Sequence, residues 1–151
     1  MGFRGSFAHG FDGKGRVAIP ARFREELRAA NDDRVVITRF VVGADLPCLD
    51  VYPHPVWLEL EAKLEQQERF DPKTARFRRF YFSEAQDCTV DKQGRILVPP
   101  RLRDYARLQR EALFVSDIDK FQIWDPETWD RVARQDEQAL IDDPNNMRLG
   151  I

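Results

Sequence analysis

"DKQGRILVPPRLR" (residues 91–103) decides how this chain folds, because "DGKGRVAIPARFR" (residues 12–24) has nearly the same wording 79 positions earlier. The two stretches agree at Asp12/Asp91, Gly15/Gly94, Arg16/Arg95, Pro20/Pro99, Arg22/Arg101 and Arg24/Arg103. Val17-Ala18-Ile19 stands where Ile96-Leu97-Val98 stands, and Phe23 where Leu102 stands. Self-similarity of this kind means that one supersecondary unit is built twice. In each copy an Asp opens a turn, a position it favours. The Gly supplies a backbone that tolerates positive φ just before the chain becomes extended. The apolar run after Gly-Arg reads as a short strand. Pro then ends the strand and opens a short helix, where its missing N–H costs nothing. Phe23 and Leu27, like Leu102 and Tyr105-Ala106, share an apolar face; Arg22, Arg24, Arg101 and Arg103 lie off it.

Outward from these stretches the duplication continues. "RVVITRFVV" (34–42) and "ALFVS" (112–116) read as strands, as do "CLDVYP" (48–53) and "FQIWDP" (121–126). Position 51 now matches 123 and 57 matches 129, an offset of 72, so the first copy has a longer loop around Gly43-Ala44-Asp45. Each copy ends in a helix, "HPVWLELEAKLEQQERF" and "DPETWDRVARQDEQAL". Asp125 suits the N-cap of the second, with Pro126 at its first position. Each half therefore reads turn–strand–helix–strand–strand–helix. Between them "DPKTARFRRFYF" starts as a helix at Asp71-Pro72 and carries a stripe of Phe77, Phe80 and Tyr81. This stripe reads as a bridging helix that packs the halves together, with its arginines in solvent. The tail 140–151 has turn formers and little periodicity and reads as a weakly ordered terminus. The expected divisions are a first repeat at 6–54, linking helices at 55–82, a second repeat at 83–126, and a C-terminal helix and tail at 127–151.

A half of roughly 45 residues with a few short strands buries too little apolar surface to fold well alone. Two homologous halves can close one barrel-like sheet about a pseudo-twofold axis, giving a mostly β, α+β fold. Such an axis puts both D-x-x-x-R turns at one pole, with Arg16 and Arg95 near each other and Lys14 and Lys92 beside them.

Composition narrows the chemistry. The net charge is −2, with the signs in blocks: +3 over residues 1–30, −5 over 31–68, +6 over 69–110 and −6 over 111–151. Both basic blocks contain the repeated stretch. No apolar run approaches the length of a membrane span, and the first residues lack the apolar core of a secretory signal. Cys48 and Cys88 read as buried thiols of a reducing compartment. The only histidines, His9 and His54, are not at ligand spacing, and no nucleophile, zinc or P-loop motif occurs. Catalytic and metal residues are therefore expected to be none, with no cofactor and no small-molecule substrate. Lys and Arg on paired loops instead suit phosphates, and Arg can fork onto guanine O6 and N7. Neighbouring Gly lets a polyanion approach closely.

Together "FRGSF" (3–7), "DGKGRVAIPARFRE" (12–25), "CLDVYP" (48–53), "RFRRFYFSEAQDC" (76–88), "DKQGRILVPPRLRDYA" (91–106) and "FQIWDPETWD" (121–130) resemble the MraZ family of bacterial transcriptional regulators. That family has two tandem domains similar to those of the AbrB and SpoVT regulators. The resemblance spans about residues 3–135; Gly2 before Phe-Arg-Gly and the last dozen residues depart from it. It implies a swapped-hairpin β-barrel of AbrB type and a homo-oligomeric ring. It implies binding to direct repeats in double-stranded promoter DNA and repression of the division and cell-wall gene cluster that includes its own promoter. It also implies a cytoplasmic, nucleoid-associated location. Carried over, the DNA-binding residues are Lys14, Arg16, Lys92 and Arg95, with Arg4 as a further candidate. Asp12, Gly15, Asp91 and Gly94 hold the turns, since a carboxylate near phosphate is repelled. The alternative is an antitoxin-like or scaffold module of the same domain type that works through a protein partner.

Overall fold

The computed structural model describes residues 2–151. The first half comprises β1 (Ser6–Gly10), β2 (Arg16–Ala18), α1 (Ala21–Ala29), β3 (Arg34–Val41), β4 (Pro47–Pro53) and α2 (His54–Glu65). Helix α3 (Pro72–Phe82) follows. The second half comprises β5 (Gln86–Thr89), β6 (Arg95–Leu97), α4 (Pro100–Tyr105), β7 (Glu111–Asp117), β8 (Lys120–Trp124) and α5 (Pro126–Asp142).

Six strands form one antiparallel sheet in the order β1-β7-β8-β4-β3-β5, and β2 and β6 form a separate two-stranded ribbon. The halves are interleaved. β1 of the first copy pairs with β7 of the second, and β5 of the second pairs with β3 of the first. β4 pairs with β8, and β2 with β6. Where the copies cross, the register sets a residue against its own counterpart: Val17 faces Ile96 in the ribbon, and Asp50 faces Gln122 in the sheet. A pseudo-twofold axis runs through both pairs, so the fold is the α+β, two-repeat arrangement that the duplicated stretch implies. The β1 end of the sheet reaches the ribbon through a bridge at Phe11 and Val17 and a bond from His9 Nδ1–H to the Ala18 carbonyl (2.6 Å). Ile19 N–H donates to the Gly94 carbonyl at 2.8 Å and Val98 N–H to that of Gly15 at 3.3 Å. Bridges and packing complete the barrel, and no continuous ladder closes it among the described residues.

The core follows from strand alternation. Val17 and Ile96 point inward from the ribbon against Ile37, Leu49, Val51, Phe114 and Ile123 of the sheet, and α1 and α4 cap the ends with Phe23 and Leu102. The opposite face of the sheet is covered on one side by α2 and α3, where Trp57 and Tyr81 pack on Val36 and Tyr52. On the other side α5 packs Val132 and Trp129 on Trp124. Between them lies the buried Asp50. It accepts from the Tyr81 hydroxyl and from Gln122 Nε2 (2.9 Å), with Lys120 Nζ 3.5 Å away. Burial and the adjacent Asp50 charge push the Tyr81 hydroxyl far up, so it stays a donor.

Three details differ from the sequence reading. Each half begins with a strand, β1 or β5, where the pattern gives only a turn. Both are short, polar edge strands without apolar alternation, so pairing rather than propensity makes them strands. Pro20 and Pro99 sit one position outside their helices, with extended ψ of 141° and 137°. The tail is not without structure: α5 continues to Asp142, and Asp143 caps a 3₁₀ turn at Pro144–Met147 by accepting from Asn145 N–H (3.0 Å).

Candidate nucleic-acid interface

The outward face of the β2–β6 ribbon is where the structure brings the repeated residues together. Val17 and Ile96 are buried, so their neighbours Arg16, Ala18, Arg95 and Leu97 face the other way. The register puts Arg16 opposite Leu97 and Ala18 opposite Arg95. The two arginines therefore sit diagonally across a ribbon only two strands wide.

Each turn is built around its aspartate. Asp12 Oδ1 accepts from Lys14 N–H (2.8 Å) and Arg16 N–H (2.9 Å), while Oδ2 accepts from Arg16 Nε–H at 2.9 Å. Asp91 repeats the pattern with Gln93 N–H (2.9 Å), Arg95 N–H (2.9 Å) and Arg95 Nε–H (3.2 Å). The backbone hydrogen bond from Arg16, with those from Lys14 and the guanidinium, lowers Asp12 from the ordinary 3.8 to about 2. Asp91 is lowered likewise, first by the Arg95 backbone bond. Gly15 and Gly94 have φ of +83° and +78°, where a side chain would be strained. The turns also touch each other, because Arg95 Nη1 lies 3.5 Å from Asp12 Oδ2.

This geometry decides what each guanidinium has left to offer. Arg16 and Arg95 are anchored through Nε, with side chains 33% and 28% exposed. Arg16 keeps both terminal nitrogens free of protein bonds among the described residues, while Arg95 shares one with Asp12. A guanidinium held at Nε is pre-ordered and presents a two-pronged edge, which suits a paired acceptor. Lys14 and Lys92 are exposed on the turns. They are not counterparts, because Gln93 rather than Lys92 holds Lys14's place in the turn. Arg4 is exposed but not part of this cluster. It sits at the other end of β1, beside the β7–β8 turn, where Phe3 bridges to Ile118. The five-residue strand β1 between Arg4 and the cluster is about 17 Å long.

The sequence reading missed two arginines. Arg24 of α1 lies across Gly94 of the second turn, and a Cβ on that glycine would overlap its Cδ and Nη1. Arg103 of α4 lies across Gly15 in the mirrored place. The signal was present in the exact repetition of Arg24 as Arg103, but which turn each would cover depends on the interleaving of the halves. Elsewhere, Cys48 is buried and Cys88 half-buried, and burial pushes the Cys88 thiol up to about 11. No cluster of three or more metal-ligand side chains occurs among the described residues. No helix among them is long and apolar enough to cross a membrane.

Comparison with known proteins matches this chain to a family model described as "MraZ protein" and qualified as "antitoxin-like", over residues 2–80 and again over 81–150. A protein of Pseudomonas aeruginosa named "Transcriptional regulator MraZ" is 41% identical over 138 residues, covering 91% of this chain and 89% of the relative. A protein of the same name from Azotobacter vinelandii is 38% identical over 145 residues, covering 96% and 93%. One from Pseudomonas putida is 40% identical over 138 residues.

Proposed function

This chain belongs to the MraZ family, and from that premise we propose that it is a DNA-binding transcriptional regulator whose ribbon face reads double-stranded DNA. The observation that carries the reading is the pair of Asp-anchored arginines on one outward face. The major groove admits a two-stranded β-ribbon, and an Arg edge can fork onto guanine O6 and N7. Arg16 and Arg95 are assigned to base edges. Lys14 and Lys92 are assigned to phosphates, which position the ribbon without reading sequence. Gln93 can bond adenine from the place Lys14 holds in the first turn. Arg4, remote from the ribbon, is assigned at most a contact to flanking backbone. Asp12, Gly15, Asp91 and Gly94 hold the turns. Residues 6–54 and 83–126 are assigned as the two repeats, joined by 55–82, with 127–151 as an appended helix and tail.

One ribbon offers few cations, so a single protomer binds weakly and is readily displaced by salt. We assign tight binding to a homo-oligomeric ring that presents several ribbons to direct DNA repeats, where effective concentration multiplies weak contacts. The alternating charge blocks suit head-to-tail association that closes on itself. An oligomer unchanged in high salt by light scattering would count against that use of the blocks. To this reading we also assign repression of its own promoter and of the division and cell-wall cluster, in the cytoplasm at the nucleoid. No catalytic step and no cofactor is assigned.

The test is fluorescence anisotropy with a duplex from upstream of the protein's own gene and a scrambled duplex, across salt. Binding that favours the promoter duplex and falls steeply with salt supports the reading. Equal, weak binding to both removes it. The "antitoxin-like" qualification of the family favours one second reading, action through a protein partner. A partner that copurifies in stoichiometric amount would support that reading.

A further inference from the structure

The pseudo-twofold axis gives the molecule an internal comparison between two related environments, one with an aromatic ring under its arginine and one beside a cleft. In the first, Arg103 of α4 donates through Nε to the Leu108 carbonyl (3.4 Å) and through Nη2 to that of Gln109. Its guanidinium lies 4.1 Å from the ring centre of Phe11. In the second, the counterpart of Phe11 is Val90 and that of Arg103 is Arg24. Beside this smaller side chain is a cleft of about 610 Å³ between the end of α1 and the second turn, lined by Arg24, Arg28, Asp33, Val90 and Lys92 among others. Here Arg24 Nε is buried with no hydrogen-bond partner among the described residues. A buried donor left unpaired is costly, and a ligand in the cleft that Arg24 lines reaches it when the side chain turns off Gly94.

Charge says what kind of acceptor. Two acids of the lining are already engaged. Asp32 is held by both Nε and Nη2 of Arg34 (3.0 Å each), and Asp91 by the Arg95 backbone and guanidinium. Among the described residues Arg24, Arg28 and Lys92 have no bonded carboxylate, and of the lining acids Asp33 alone is left to oppose them. A single carboxylate would leave this surplus unbalanced, whereas a phosphate or diphosphate would match it and accept several charge-assisted bonds. The volume falls in the range of small-molecule sites.

We propose that this cleft binds a small soluble phosphate-bearing anion, of the diphosphate class, with Arg24 as its buried anchor and Arg28 and Lys92 at the mouth. Lys92 and Gly94 belong to the second turn, so an occupied cleft changes the charge and freedom of one side of the ribbon. That coupling rests on the DNA-reading role of the ribbon; the binding itself does not.

The test is a titration of inorganic pyrophosphate into the full chain, followed by two-dimensional ¹H–¹⁵N NMR at the Arg24 Nε–H and the Lys92 and Gly94 amides. Saturable shifts confined to these groups are expected. Arg24→Gln should weaken binding about tenfold or more, the scale of one charge-assisted bond. Val90→Phe, which copies the Phe11 environment, should do the same by occlusion. Arg28→Gln should weaken binding while Arg107→Gln, the same charge change at its counterpart, should not. Shifts spread over all surface cations, or wild-type binding by Val90→Phe, would overturn the proposal. So would a cleft that ignores pyrophosphate but whose Arg24 Nε–H moves with duplex DNA, because the acceptor would then be a backbone phosphate. If pyrophosphate binds as expected and promoter DNA does not bind at all, the cleft stands and the regulator reading falls.

Discussion

Asp12 and Arg16 show how much one residue type can decide at a fixed spacing. The carboxylate closes the turn through two backbone N–H groups and aims the guanidinium through Nε, so the same residue folds the loop and orders the contact. Its folded pKa is depressed, so this contribution is complete above the unfolded value near 4 and disappears as pH falls through about 2. Urea unfolding of wild type and Asp12→Asn should therefore differ above pH 4 and converge below pH 2. The glycines divide by conformation. Gly94 has φ +78° and Arg24 pressed against it, while a Cβ on Gly13 meets nothing within 4 Å. Gly94→Ala should destabilise the fold by roughly 1–2 kcal/mol. Gly13→Ala should stay within about 0.5 kcal/mol, both read by chemical denaturation. The turns were legible at this scale because Asp, Gly and Arg recur at identical offsets. The buried contact of Arg24 was not, because its partner glycine lies on the other copy.

Among the elements, the crossing of β4 and β8 carries the most exposed wager. Asp50 sits on the axis, buried, and satisfies the Tyr81 hydroxyl from α3, Gln122 from β8 and the ammonium of Lys120. Asp50→Ala leaves Gln122 Nε2 unpaired, the Tyr81 hydroxyl with only Tyr52 and the Lys120 ammonium with only Asp117, and a buried donor left unsatisfied typically costs about 1–3 kcal/mol. A loss below about 1 kcal/mol in urea would mean that water replaces the carboxylate. Helix α3 belongs to the same network, since Arg39 Nε donates to the Phe80 carbonyl (2.8 Å) and Thr38 to that of Tyr81. These bonds seat α3 on the first half, and of its Phe77, Phe80 and Tyr81 stripe it is Phe80 that reaches the second half, with its ring centre 6.4 Å from that of Tyr105. Apolar spacing made α2 readable and Asp-Pro starts made α3 and α5 so, and Asp71 and Asp125 do cap their helices. β1 and β5 were not readable, because their identity lies in their partners β7 and β3.

At the scale of the whole molecule, interleaving makes each half incomplete. Every copy leaves its first strand on the other copy's third, and each contributes one strand to the ribbon. A fragment of residues 1–80 should therefore be either unfolded or a dimer that replaces the missing half with a second fragment. Analytical ultracentrifugation beside circular dichroism distinguishes these, and a folded monomer would contradict the interleaved topology. The pseudo-twofold axis was legible from the repeated stretch, because only a shared core explains why a short unit is built twice. The asymmetry between Phe11 and Val90 was written there too, but it acquires meaning only when Arg103 and Arg24 are seen to lie over the opposite turns.

The central claim is that the ribbon's anchored arginines read DNA rather than merely brace the turns. The most direct measurement is promoter-duplex anisotropy for wild type, Arg16→Ala and Arg95→Ala, with the melting temperature and light-scattering mass of each recorded alongside. Each substitution should weaken specific binding by about 1–3 kcal/mol while the mass stays fixed and melting moves little. Wild-type affinity in both variants, with a lowered melting temperature, would make the arginines structural and contradict the account.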